Sequence, residues 1–166
     1  MIRPAKLGEI PKIIGLARAC ALHMIGMGIE QWNDLYPSED AFLKDHSRGE
    51  LYVMEASGHI VGCITVSSLM DEEYKSVQWL TPNRNNIYVH RLAVLPEEQG
   101  KGLGRQLMDW TENRAKYEDR VSVRLDTFSR NKRNQRFYEA RGYQKLEPVY
   151  FPNQSPYPFY CYELIL

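Results

Sequence analysis

Three glycines occupy alternate positions in the stretch QGKGLGRQLM, namely Gly100, Gly102 and Gly104. A strand-like segment precedes this stretch, and the pattern of an amphipathic helix follows it. Such a turn leaves the first N–H groups of the helix without partners, and glycine lets successive N–H groups point into one concavity. The stretch therefore predicts a site for an anion, above all for a phosphate group.

Two common phosphate-binding patterns are excluded by the spacing. The dinucleotide pattern GxGxxG fails because Arg105 stands where its last glycine belongs, and GxxxxGK[ST] fails because Gly102 follows Lys101. From this stretch alone, a tight turn that binds nothing remains the alternative.

The elements that hold this turn follow from the hydrophobic pattern. Apolar residues at spacings of three and four predict a helix from Ile10 that ends near Gly26 to Gly28. A second helix is predicted between a Ser38 cap and Gly49. The runs LYVMEA and HIVGCITVS flank Ser57-Gly58, which predicts an antiparallel hairpin.

The second half alternates strand and helix patterns. NIYVHRLAV is strand-like, a helix begins at Leu103, VSVRLDTF is again strand-like, and Asn131 to Arg141 is helical with Gly142 as its stop. The mostly polar segment SLMDEEYKSVQWLTPNRNN, residues 68–86, is predicted as a long excursion. PVYFPNQSPYP is predicted as a loop, and YCYELIL closes the chain as a strand. We predict an α/β fold with a mixed sheet, helices on both faces, and one domain over residues 1–166.

The overall composition excludes several classes of protein. Lysines plus arginines number 21 and acids 21, so the basic excess of a general nucleic-acid binder is absent, and RNKRNQR is predicted as a solvated helix face. Cys20, Cys63 and Cys161 are far apart, which argues against disulfides and a metal site. No segment is typical of a signal peptide or a membrane span, so we expect a cytoplasmic protein that binds no membrane.

Two motifs in order carry a family resemblance. Gln99, Gly102 and Gly104 match a motif of Gln or Arg, two residues, Gly, one residue, then Gly or Ala; NKRNQRFYEARGY supplies the second. Together they resemble the GCN5-related N-acetyltransferase family, over nearly the whole chain. The resemblance implies the acyl-CoA N-acyltransferase fold, with a central, largely antiparallel sheet, and acetyl transfer from acetyl-CoA to an amine.

The resemblance also assigns cofactor-binding positions. The strand before the turn would splay from its neighbour at a bulge and bind the pantetheine arm, and Asn131 would reach the cofactor from the far side. Tyr138 matches the family tyrosine whose hydroxyl lies beside the cofactor sulfur and protonates the thiolate. The implied cofactor contacts in the strand and the turn are Leu92, Ala93, Val94, Gln99, Gly100, Lys101, Gly102, Leu103, Gly104 and Arg105.

Direct attack by a primary amine requires a base, since an amine of pKa ~10.4 is almost fully protonated at pH 7. His90 is the first candidate, because it matches one of two strand histidines of serotonin N-acetyltransferases; Tyr88 stands at the other. A hydrogen-bonded core histidine is the alternative, in which case water relayed to Glu72, Glu73 or Asp126 would substitute.

The acceptor pocket is predicted in two segments rich in aromatics and acids, GIEQWNDLYPS and DEEYKSVQW. Acids would attract an ammonium group and aromatic faces would hold its stem; otherwise these aromatics only pin long loops to the core. The candidates are Glu30, Trp32, Asp34, Tyr36, Glu73, Tyr74 and Trp79. The acceptor is then a small-molecule or protein amine. A non-catalytic acyl-CoA sensor, a simple phosphate binder and a homodimer stay open.

Overall fold

The computed structural model describes residues 1–166 and contains four α-helices and seven strands. Short 3-10 helices lie at Leu7–Glu9, Glu72–Ser76 and Pro96–Glu98. In chain order the main elements are β1 Ile2–Pro4, α1 Ile10–Gly26, α2 Glu39–Ser47, β2 Leu51–Ala56, β3 His59–Ser67, β4 Asn86–Val94, α3 Leu103–Tyr117, β5 Ser122–Phe128, α4 Lys132–Ala140, β6 Gln144–Val149 and β7 Phe159–Ile165.

The seven strands are hydrogen-bonded in the order β1-β2-β3-β4-β5-β7-β6. β4 and β5 are parallel, with Asn86 opposite Ser122 and Tyr88 opposite Arg124. The β1–β2, β2–β3, β5–β7 and β6–β7 pairs are antiparallel. The predicted mixed, largely antiparallel sheet is confirmed.

Most predicted elements have the bounds that the sequence indicates, including the β2–β3 hairpin and the Ser38 cap, whose Oγ accepts from Ala41 N at 3.1 Å. The prediction that PVYFPNQSPYP is loop throughout is wrong at its start. Pro148 and Val149 belong to β6 and lie opposite Tyr160 and Phe159. β6 is an edge strand, where proline is tolerated although it lacks an N–H donor. The short strand β1 was not predicted from the sequence.

The chain forms two compact units. The first consists of Met1–Val66 and His90–Thr111, and the second of Ser67–Val89 and Glu112–Leu166. The predicted single domain therefore remains a prediction.

The core of the first unit is built by one face of α1 and by α2, β2 and β3. Gly62 in β3 permits close packing, because a Cβ there would lie 3.0 Å from the carbonyl oxygen of Ala93 and 3.2 Å from Leu107. The cluster of buried side chains includes Ile13, Leu16, Ala17, Cys20, Trp32, Phe42, Leu51, Val53 and Cys63.

The second unit contains a fully buried ion pair, in which Arg124 on β5 donates to Glu163 on β7 at 2.8 Å. The guanidinium of Arg124 also donates to the carbonyl oxygen of Thr81 at 2.7 Å and to Asn83 Oδ1 at 2.7 Å. Glu163 accepts from the backbone N–H of Leu80 at 2.6 Å. The pair therefore fixes residues 80–83 of the polar excursion against the strands.

Candidate active site

The glycine turn has the backbone geometry that an anion site requires. Gly100 and Gly102 both have φ near +81°, in the left-handed region that favours glycine, whereas Gly104 lies within α3. The N–H of Gln106 donates to the carbonyl oxygen of Gly102 at 3.1 Å, as the first turn of the helix begins. The helix geometry leaves the N–H groups of Leu103, Gly104 and Arg105 without acceptors inside α3.

Side chains around the turn add one tether and two cations. Gln99 Nε2 donates to the carbonyl oxygen of Val94 at 3.0 Å, which ties the turn to the end of β4. The Arg105 guanidinium lies over the turn, because a Cβ built on Gly102 would be 3.4 Å from Arg105 Nη2. Lys101 pairs with Glu98 at 2.9 Å, but the Lys101 side chain is exposed and Glu98 is only half-buried, so this pair adds little stability.

The end of β4 is irregular. Arg91 has a φ of +50°, which breaks the regular extended backbone of the strand just before Leu92, Ala93 and Val94. The carbonyl oxygen of Val94 accepts from the Cys20 thiol at 3.1 Å in addition to Gln99. Both lone pairs of that oxygen are therefore in use.

His90 lies on β4, half-buried. Burial and then the neighbouring Arg91 cation lower the pKa of His90 below its ordinary value. The imidazole is consequently neutral near pH 7 and is a weaker proton acceptor than a histidine in water.

Asn131 and Tyr138 belong to the second unit. Asn131 caps α4, with its Oδ1 accepting from Asn134 N at 3.1 Å, and it is 4% exposed. Tyr138 is buried among the rings of Phe137, Tyr143 and Tyr162, with centroids 5.2–6.2 Å away. Burial and then the negative charge of Asp126 raise the pKa of Tyr138, so the phenol keeps its proton at neutral pH.

Asp126 on β5 is half-buried and accepts a hydrogen bond from the hydroxyl of Tyr74. Burial and the charge of Asp126 raise the pKa of Tyr74 well above its ordinary value, so Tyr74 acts as the donor. Asp126 lies opposite Cys161, and burial together with the Asp126 charge raises the pKa of that thiol. This carboxylate therefore influences three neighbouring acidic groups.

The predicted acceptor residues have different environments. Trp32 is buried in the core of the first unit, Tyr36 is half-buried, and Glu30 and Asp34 are exposed.

In the second unit Tyr74 is buried, Glu73 is exposed, and Trp79 Nε1 donates to the carbonyl oxygen of Tyr74 at 3.0 Å. The Arg124 guanidinium lies 4.5 Å from the centre of the Trp79 ring. Tyr74 and Trp79 thus pack the excursion onto β5.

Three buried or half-buried charged residues near the candidate site residues were not predicted from the sequence, namely Asp45, Arg91 and Arg124. Each lies within an otherwise ordinary helix or strand pattern, where a single charge is usually solvated. The only local signal was the placement of Arg91 and Arg124 in strands of otherwise mostly apolar residues.

The structure contains no group of three or more metal-binding side chains, and none of its helices is long and apolar enough to span a membrane.

The chain is similar to known acetyltransferases over most of its length. The model of the acetyltransferase (GNAT) family matches residues 14–143. The uncharacterised N-acetyltransferase YesJ of Bacillus subtilis is 24% identical over 143 residues, which cover 85% of this chain and 79% of that protein.

Two solved structures have the same fold. A GNAT-family acetyltransferase from Streptococcus agalactiae is 24% identical with a TM-score of 0.85, covering 100% of this chain and 95% of its own. The yncA protein of Salmonella typhimurium, solved with acetyl-CoA, is 20% identical with a TM-score of 0.71, covering 100% and 93%. The family match over most of the chain confirms the predicted enzyme class, and the chain belongs to the acetyltransferase (GNAT) family as an acetyl-CoA-dependent N-acetyltransferase.

Proposed function

We propose that this enzyme transfers the acetyl group of acetyl-CoA directly to a primary amine of a small molecule or a protein. The observation that carries the proposal is the turn with φ near +81° at Gly100 and Gly102, directly before α3. Its backbone N–H groups bind the pyrophosphate in the proposed complex, and Arg105 adds a positive charge above the turn. Leu92 to Val94 bind the pantetheine arm.

Tyr138 is the proposed donor to the sulfur of the leaving CoA. A thiol has a pKa of about 8.5 and a phenol of about 10, and burial raises the pKa of Tyr138 further. Full proton transfer to the thiolate is therefore uphill. Tyr138 acts mainly by donating a hydrogen bond to the sulfur as negative charge develops on it, and a solvent proton completes the reaction.

The base is better assigned to Asp126 than to His90. Burial and the neighbouring Arg91 cation lower the pKa of His90, so its imidazole carries no charge that would attract an ammonium group, whereas a carboxylate supplies a negative charge. Asp126 is a half-buried carboxylate, oriented by the hydroxyl of Tyr74, and its charge reaches Tyr138. In this proposal Asp126 attracts the ammonium group and orients a water molecule that carries the proton to solvent, while Tyr138 remains protonated.

The test of the reaction is release of free CoA thiol from acetyl-CoA in the presence of a panel of primary amines. The proposal predicts amine-dependent release. Binding of acetyl-CoA without amine-dependent release would instead support the sensor, and equal binding of simple nucleotides and CoA would support the phosphate binder.

Two variants test the assigned roles. Asp126→Asn should lower kcat by about 10²-fold or more while the affinity for acetyl-CoA is retained, whereas the exposed control Asp119→Asn should change kcat less than about twofold. Tyr138→Phe should lower kcat more than it weakens acetyl-CoA binding. Unchanged turnover in either variant would remove that residue from the mechanism.

A further inference from the structure

Arg91 adopts a backbone conformation that arginine rarely takes. Its φ of +50° lies within β4, between the half-buried His90 and the segment Leu92 to Val94. A residue other than glycine in this region is strained, and it persists only where surrounding contacts hold it. The contacts that hold Arg91 therefore control the geometry of β4 at this point.

The main contact is a bidentate ion pair with Asp45 on α2. Arg91 Nε donates to Asp45 Oδ2 at 2.6 Å, and Arg91 Nη2 donates to Asp45 Oδ1 at 2.7 Å. Asp45 is only 2% exposed, and the hydroxyl of Thr65 on β3 donates to its Oδ2 at 2.7 Å. Two parallel hydrogen bonds fix the plane of the guanidinium as well as its position.

A third contact reaches the loop after α1. Arg91 Nη1 donates to the hydroxyl of Tyr36 at 3.1 Å. Tyr36 belongs to one of the two segments predicted to contact the acceptor. The same guanidinium is thus attached to that segment, to α2 and, through its own backbone, to β4.

Stability alone is a weak explanation for such a pair, because well-packed apolar residues often replace a buried ion pair at no loss. Orientation is a better explanation. The carbonyl oxygen of Arg91 accepts from the Cys63 thiol at 3.6 Å, so the distorted peptide is also held from the β3 side. A change in the guanidinium position would rotate the peptides that follow it, in the segment assigned to the pantetheine arm.

We propose that Arg91 is a positioning residue for acetyl-CoA, held by Asp45 and Tyr36 so that the backbone of Leu92 to Val94 is oriented to bind the pantetheine arm. This inference rests on the proposed function of that segment. It predicts that breaking the Asp45–Arg91 pair weakens cofactor binding in the folded protein, with a smaller effect on turnover at saturation.

The experiment measures the Kd of acetyl-CoA by titration calorimetry and kcat at saturating acetyl-CoA. Asp45→Asn and Arg91→Lys should each raise Kd by about fivefold or more, which corresponds to the low end of the free energy that such backbone strain costs. The kcat of each variant should stay within about twofold of wild type. Asp40→Asn, an exposed change on the same helix, should change neither quantity. Phe42→Leu removes volume from a fully buried side chain on α2, so it should lower Tm without raising Kd.

A comparison of two uncharged variants separates positioning from simple loss of charge. Glycine adopts a φ of +50° without strain and alanine does not, so Arg91→Gly should raise Kd less than Arg91→Ala does. An equal rise in Kd for Arg91→Gly and Arg91→Ala, or a Kd within about twofold of wild type for both Asp45→Asn and Arg91→Lys, would overturn the inference. If Asp45→Asn does not fold, Arg91→Lys decides alone. Failure of the wild-type enzyme to bind acetyl-CoA would instead refute the proposed function.

Discussion

Removing the charge of Glu163 should destabilise the second unit strongly. Its carboxylate accepts from Arg124 Nε at 2.8 Å, Ser122 Oγ at 2.6 Å, Thr81 Oγ1 at 2.5 Å and Leu80 N at 2.6 Å. In Glu163→Gln an amide NH₂ faces at least one of these donors, and the buried Arg124 loses its counter-charge. Breaking a buried pair in this way costs about 3–5 kcal/mol. For a chain of this size that corresponds to a fall in Tm of roughly 6–20 °C.

The matched control is Glu147→Gln on β6. Glu147 is exposed and accepts one hydrogen bond from the backbone N–H of Gln78, at 2.7 Å. Its replacement should cost less than about 1 kcal/mol. Calorimetric melting of both variants at pH 7 measures the difference. A Glu163→Gln Tm within about 2 °C of wild type would refute the argument from the buried network.

The pH dependence supplies an independent check. Burial alone would raise the pKa of Glu163, but hydrogen bonds from Ser122, Thr81 and Arg124 together outweigh it, so the pKa is lowered. A carboxyl group with a lowered folded-state pKa stabilises the protein above its unfolded-state pKa of about 4.3 and loses this contribution as pH falls through the folded value. The difference in Tm between wild type and Glu163→Gln should therefore shrink below about pH 4. A difference that stays constant down to pH 2 would contradict the assignment.

Two further outcomes are expected. His90→Gln should leave any ascending limb of the pH–rate profile between pH 5 and 8 in place, because the pKa of His90 is lowered out of that range. Disappearance of that limb in the variant would instead identify His90 as the base. Gly62→Ala should lower Tm, because its Cβ would lie 3.0 Å from the carbonyl oxygen of Ala93. The control Gly104→Ala should not lower Tm, because no atom lies within 4 Å of the added Cβ. Thermal melting that ranks the two variants the other way would contradict the packing of β3 against β4.

What the sequence predicts well is local. The β2–β3 hairpin follows from two β-rich runs around Ser57-Gly58, and the Ser38 cap follows from the acids and helix pattern after it. The glycine turn was likewise evident, because its positive φ angles demand glycine within a few residues of a helix start.

What the sequence does not predict depends on partners far away in the chain. β1 has only three residues and is recognisable only by its pairing with β2. The Asp45–Arg91 pair joins residues 46 positions apart, so no local pattern indicates it. The lowered pKa of His90 arises first from burial, which depends on how the strand packs in the fold, although the adjacent Arg91 adds to it.

The central claim is that backbone N–H groups of the glycine turn bind the pyrophosphate of the cofactor. The most direct measurement is calorimetric titration of wild type and Gly102→Val with acetyl-CoA and with S-acetylpantetheine, which keeps the thioester arm but lacks phosphate. Two charge-assisted hydrogen bonds predict at least about 100-fold tighter binding of acetyl-CoA by wild type. The account predicts that a folded Gly102→Val loses this preference, and retention of wild-type affinity for acetyl-CoA in that variant would contradict it.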